Sequence, residues 1–104
     1  MEDKVDKTYI FHICTKEEWE KKLSSNEYIH PSLKTENFIH NSEEHQIEGV
    51  LQRYFKGQND LLKLTIDPDK LTSRLQYDLA TDDEYFPHVY GPINKDAIVK
   101  VERI

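Results

Sequence analysis

The sequence predicts an α+β domain built on a small mixed, mostly antiparallel sheet with two to three short helices. Two observations carry this. Helix-period patterns and caps gather in the first half of the chain, while strand-like runs gather in the second, which suggests mostly antiparallel pairing. The 104 residues are enough to bury one core and too few for two, so residues 1–104 are expected to form a single domain, with 1–7 a flexible charged start.

Taken in order, Tyr9 to Cys14 is rich in aromatic and branched residues and reads as a strand, with Ile10, His12 and Cys14 on one face. Thr15-Lys16-Glu17-Glu18 has the form of a capping box, and Trp19 and Leu23 fall one turn apart, predicting a helix from about Lys16 to Ser24. His30-Pro31-Ser32 is read as an extended or turning path, and Asn37 to His40 as a brief strand. Ser42 is placed to cap the next helix, whose apolar stripe is Ile47, Val50, Leu51, Tyr54 and Phe55, and Gly57 ends it. Leu61 to Ile66 alternates as a half-covered strand. Asp67-Pro68 opens a helical turn. Ser73 to Leu79 is a strand with Leu75, Tyr77 and Leu79 on one side, and Asp82-Asp83-Glu84 is an exposed loop. Ala97 to Ile104 closes the sheet with Ala97, Val99 and Val101 inward.

Composition removes several function classes. Fourteen Lys and Arg against twenty Asp and Glu give a formal charge of -6, which disfavours indiscriminate binding to nucleic acid. A single cysteine excludes an internal disulfide framework and fits a reducing, cytoplasmic setting. No apolar run nears the roughly 20 residues of a membrane span, so a soluble protein is expected. With three glycines the chain has no phosphate-cradling Gly-rich loop, and it has no Gly-x-Ser-x-Gly elbow.

The chemistry concentrates in three apolar runs that each hold one imidazole: Ile10-Phe11-His12-Ile13-Cys14, Phe38-Ile39-His40-Asn41-Ser42, and the Pro-braced Phe86-Pro87-His88-Val89-Tyr90-Gly91-Pro92. Each has two readings. His12 faces a ligand or is hydrogen-bonded into the core; His40 ends a strand just before a helix start, where an anion is favoured; His88, beside Tyr90, touches a ligand or pins its loop. His30 and His45 read as surface residues. No metal site is assigned, because His40 and His45 are five apart and no His-Glu-x-x-His pattern exists. Cys14 reads as a buried structural thiol.

The order of these motifs, with Trp19, Pro31-Ser32-Leu33, Gln46, Gly49-Val50, Arg53-Tyr54-Phe55, Asp60-Leu61-Leu62, Ile66-Asp67, Leu71, Ile93 and Asp96-Ala97, resembles the small bacterial family called domain of unknown function 952. The resemblance spans nearly the whole chain. Members usually read Gly-Phe-Ile-His-Cys-Ser where this chain has Asn37-Phe38-Ile39-His40-Asn41-Ser42. The resemblance implies an ADP-ribosyltransferase-like fold, many of whose members use NAD. There a first-strand His followed by a small or hydroxyl residue contacts the ribose, and Phe11 to Thr15 is similar to that element; His40 stands where a stacking Tyr is usual. A later Glu often completes catalysis, but none lies within Phe86 to Tyr90, and Glu84 precedes that run.

Three functions are carried forward. In the first, NAD or a related nucleotide binds as ligand or substrate, with His12 and Thr15 on ribose, His40 and Ser42 on the phosphate or nicotinamide side, and His88 and Tyr90 walling the site. The second is another small-molecule enzyme or sensor using His acid-base chemistry. The third is a non-enzymatic interaction domain.

Overall fold

The computed structural model describes residues 8–21 and 26–104, so the expectations for residues 1–7 and for the helix end at Leu23 to Ser25 lie outside the described residues. The chain is an α+β fold in which every described strand pair is antiparallel. Instead of one sheet it forms three small ones. β1 (Ile10–Thr15), β4 (Leu61–Ile66) and β8 (Ile98–Arg103) make the first, in the order β1-β4-β8. β2 (Glu27–Tyr28) pairs with β7 (Ile93–Asn94), and β3 (Ile39–His40), β6 (Tyr85–Tyr90) and β5 (Arg74–Leu79) make the third, in the order β3-β6-β5. Reciprocal backbone hydrogen bonds between Phe11 and Ser42, 2.8 and 2.7 Å long, tie the first sheet to the third.

Helix α1 (Lys16–Glu20) begins at the expected capping box, with Thr15 Oγ1 accepting from the Glu18 amide and Glu18 Oε1 accepting from the Thr15 amide, both at 3.0 Å. Where a turning path was expected, Pro31 precedes a short helix, α2 (Ser32–Glu36), because its locked φ suits a first turn and Asn37, at φ 74°, closes it in the left-handed region. That leaves only two residues for β3. Ser42 does not cap the next helix, since its backbone is paired with Phe11. Glu43 and Gln46 form the capping box there, ahead of a 3-10 turn and α3 (Ile47–Tyr54).

The core draws on all three sheets, around Ile10, Cys14, Tyr28, Ile39, Leu64, Ile66, Val89 and Ile93, each at most 1 % exposed. β4 is more enclosed than half-covered, since Leu61 and Thr65 are buried along with Leu62, Leu64 and Ile66. The outer strands are less so. Val99 and Val101 on the edge strand β8 and Tyr77 and Leu79 on the edge strand β5 are exposed, because each edge has a neighbour on one side only. The Pro-braced run around His88 is the central strand β6. Pro87 is tolerated there because a strand residue's N and C=O face the same neighbour: its C=O accepts from Asn41 N at 3.0 Å. Its missing N–H therefore falls beside the end of two-residue β3 and spares the β5–β6 ladder. Gly91 follows at φ 156°, and a Cβ there would run into the Ser73 side chain.

Candidate functional site

Beside the seam between the first and third sheets a cleft of about 400 Å³ opens, lined on its polar side by His12, His30, Glu36, His40, Asn41 and Ser42 and on its apolar side by Ile13, Val50, Tyr54 and Phe55. The apolar wall combines Ile13 of β1 with Val50, Tyr54 and Phe55 from the α3 stripe. None of the α3 residues is fully buried, and Tyr54 is 57 % exposed.

His12 lies at the back of the cleft, 2 % exposed. Its Nδ1–H donates to the His40 carbonyl at 2.6 Å, which fixes the tautomer and leaves Nε2 to accept from the Tyr28 hydroxyl at 2.9 Å. The Cys14 thiol interacts with the same Tyr28 hydroxyl. Burial pushes the His12 pKa down to about 3, with the nearby His30 adding to the effect. Burial likewise pushes the Cys14 thiol up to about 11 and the Tyr28 hydroxyl upward. Thus His12 is a neutral ring with both nitrogens engaged.

His30 is a site residue that the sequence reading left on the surface. Its ring stands edge-on to His12 with centroids 5.1 Å apart. Nδ1 accepts from the Ser32 amide at 3.1 Å and Nε2–H donates to Glu18 at 3.3 Å. Burial lowers its pKa, against the raising effect of Glu18. Glu36 is the second omission, brought to the cleft by α2, an unexpected helix. It accepts from His40 Nε2–H at 2.8 Å, and both side chains are about half exposed. The one signal for this pair was the Glu36-to-His40 spacing of four.

His88 and Tyr90 do not line the cleft; His88 stands against His40 and Tyr90 against Phe38. The His88 ring stacks on Phe38 with centroids 3.9 Å apart and lies edge-on to His40 at 5.3 Å. Asp78 accepts from His88 Nδ1–H at 2.8 Å and from the Tyr90 hydroxyl. The Tyr90 bond, followed by that from Gln76, holds Asp78 down at about 2, while burial outweighs Asp78 and lowers the His88 pKa. Thr15 is on neither side: its hydroxyl is occupied in the α1 cap, outside the cleft lining. Glu84 also lies elsewhere, accepting from Gln46 Nε2 at 2.9 Å. Among the described residues no group of three His, Cys, Asp or Glu side chains is gathered to hold a metal ion. No described helix is long and apolar enough to cross a membrane.

The family described as protein of unknown function, DUF952, matches residues 13–101. The chain belongs to the DUF952 family. Three solved structures of protein CC0527 from Caulobacter crescentus share its fold. The crystal structure has a TM-score of 0.85 at 23% identity, covering 92% of this chain and 85% of that one. A double-mutant crystal structure gives 0.84 at 22% with the same coverage, and the solution NMR structure 0.79 at 22%, covering 92% and 84%. At these identities the likeness is one of fold. No curated protein matches the chain.

Proposed function

We propose that the cleft between α3 and the β1–Ser42 seam binds a small molecule of nucleotide type, with NAD as the candidate that the family resemblance supplies. The observation carrying this reading is the unburied apolar face of α3 set across from a row of imidazole, amide and hydroxyl groups, a concave, largely apolar site with few convergent polar atoms. In it His40 and Ser42 contact the ligand, His12 positions the His40 carbonyl, and His88 backs the His40 ring. The volume suits a nucleoside-sized group. No lysine or arginine lines the cleft, so the pyrophosphate of NAD would extend outside it.

A second reading, turnover by acid-base chemistry, is favoured by Glu36 and His40. The carboxylate fixes Nε2–H and leaves Nδ1 as the proton acceptor at the cleft mouth, the arrangement of an oriented general base. The binding reading is tested by titrating isotope-labelled protein with NAD while following backbone amides. Saturable shifts at Ile13, His40, Asn41, Ser42 and Val50 are expected; unchanged spectra at millimolar NAD would overturn NAD as the ligand.

A further inference from the structure

The last strand, β8, ends the first sheet. β4 pairs with it on one side, and among the described residues no strand pairs with it on the other. Ile104 N–H donates to Leu61 O at 3.1 Å, and the alternation of an antiparallel ladder then turns the backbone groups of Glu102 and Lys100 toward β4 as well. Those of Val101 and Arg103 point away from the sheet. Val99 has no partner on β4, because the register shifts beside it. Val99 and Val101 are 46 % and 41 % exposed, so the open edge carries apolar side chains as well as outward backbone groups. Lys100 and Glu102 stand together on one face, Lys100 Nζ lying 3.6 Å from Glu102 Oε1, with Lys63 Nζ 3.4 Å from Oε2.

We propose that β8 pairs antiparallel with β8 of a second copy of this chain, about a two-fold axis at Val101. Only the outward backbone groups can bond across such a seam, so the possible registers differ by steps of two residues. Charge selects among them. Centred on Val101, the pairing sets Lys100 opposite Glu102 of the second copy, and Glu102 opposite its Lys100. Centred on Lys100 or on Glu102, it sets like charges directly opposite each other, which is destabilising. A lone lysine is a device that keeps an edge unpaired. A lysine and a glutamate two residues apart are instead matched by the same sequence running the other way. In the favoured register the two Val101 residues exchange backbone hydrogen bonds, and Val99, unpartnered in its own sheet, meets Arg103 of the second copy. The pairing uses up the edge on both copies, so it closes at two. The cleft lies along β1, on the far side of β4 from this edge, so the pairing leaves it open and is independent of the small-molecule reading.

The test is sedimentation equilibrium of the full chain from micromolar to millimolar concentration, with amide spectra of labelled protein over the same range. A monomer–dimer equilibrium is expected, with concentration-dependent shifts centred on Val99, Val101 and Arg103. Lys100→Glu and Glu102→Lys each place like charges opposite one another twice across the seam, and each should weaken the dimer at least ten-fold. An equimolar mixture of the two variants sets opposite charges at both places again and should restore dimerisation, which a merely structural role of either residue would not do. A monomer at millimolar concentration, shifts confined to another surface, a dimer indifferent to both charge reversals, or a mixture that stays monomeric would each overturn the proposal. The wild-type series needs no variant, so it decides the matter even if a reversed chain fails to fold.

Discussion

His12 and His88 flank His40, and the two are held by opposite means. His12 meets only uncharged partners, a backbone carbonyl and a tyrosine hydroxyl, and burial takes it out of the titrating range. His88 is nearly as buried but keeps a carboxylate, so burial and Asp78 pull its pKa in opposite directions. The comparison shows that burial alone does not define a histidine's role. With neutral partners the ring becomes a fixed hydrogen-bond adapter between two sheets, whereas with a carboxylate it remains an ionisable group tied to the surface.

The sharpest way to break this comparison is to remove each ring. His12→Ala leaves the His40 carbonyl and the Tyr28 hydroxyl unpaired around a cavity, and should cost about 3–5 kcal/mol in urea unfolding. Acidification should act next. The His12 pKa is lowered on folding from 6.5 to about 3, so above 6.5 neither state is protonated there and its full contribution is present. Below 6.5 the unfolded chain takes up a proton that the folded chain refuses, and stability should fall by about 1.4 kcal/mol per pH unit from this group until pH nears 3. His30 and His88, also lowered, add loss of the same sign, and melts from pH 8 to pH 4 measure the sum.

His40→Ala should be far milder, less than about 1 kcal/mol, since its pair with Glu36 is half exposed. Its effect should appear in ligand titration instead, as lost shifts at Asn41 and Ser42. The smallest change sharpens the other half of the comparison. Asp78→Asn removes the group that raises His88, so the His88 imidazole should titrate at lower pH by NMR with the fold intact.

The sequence made some of this legible because local signals agreed. The Thr15 capping box, the Asp67-Pro68 turn with Asp67 Oδ1 accepting from the Asp69 amide, and the strand at Leu61–Ile66 each depend on neighbours within a few residues. What escaped depended on distant partners. Val99 and Val101 read as inward because nothing local marks a strand as an edge. Pro31 read as a breaker, though the same ring can open a helix, and with α2 went the two site residues that it places or follows, Glu36 and His30. Thr15 was assigned to ribose as well as to a cap, and one hydroxyl is occupied by the cap. That His12, His40 and Ser42 share a cleft follows from the Phe11–Ser42 pairing, between residues 31 apart in the chain.

Cys14, 0 % exposed and paired in register with Leu62, lies at the far end of the Tyr28–His12 chain. With its thiol pushed up to about 11, only on the order of one such group in ten thousand is ionised at pH 7, even before access is considered. An alkylating or disulfide reagent can therefore reach it only when β1 parts from β4. A single native cysteine becomes a clock for opening of the first sheet, and the labelling rate, read with and without ligand, converts occupancy of the neighbouring cleft into a measurable protection time.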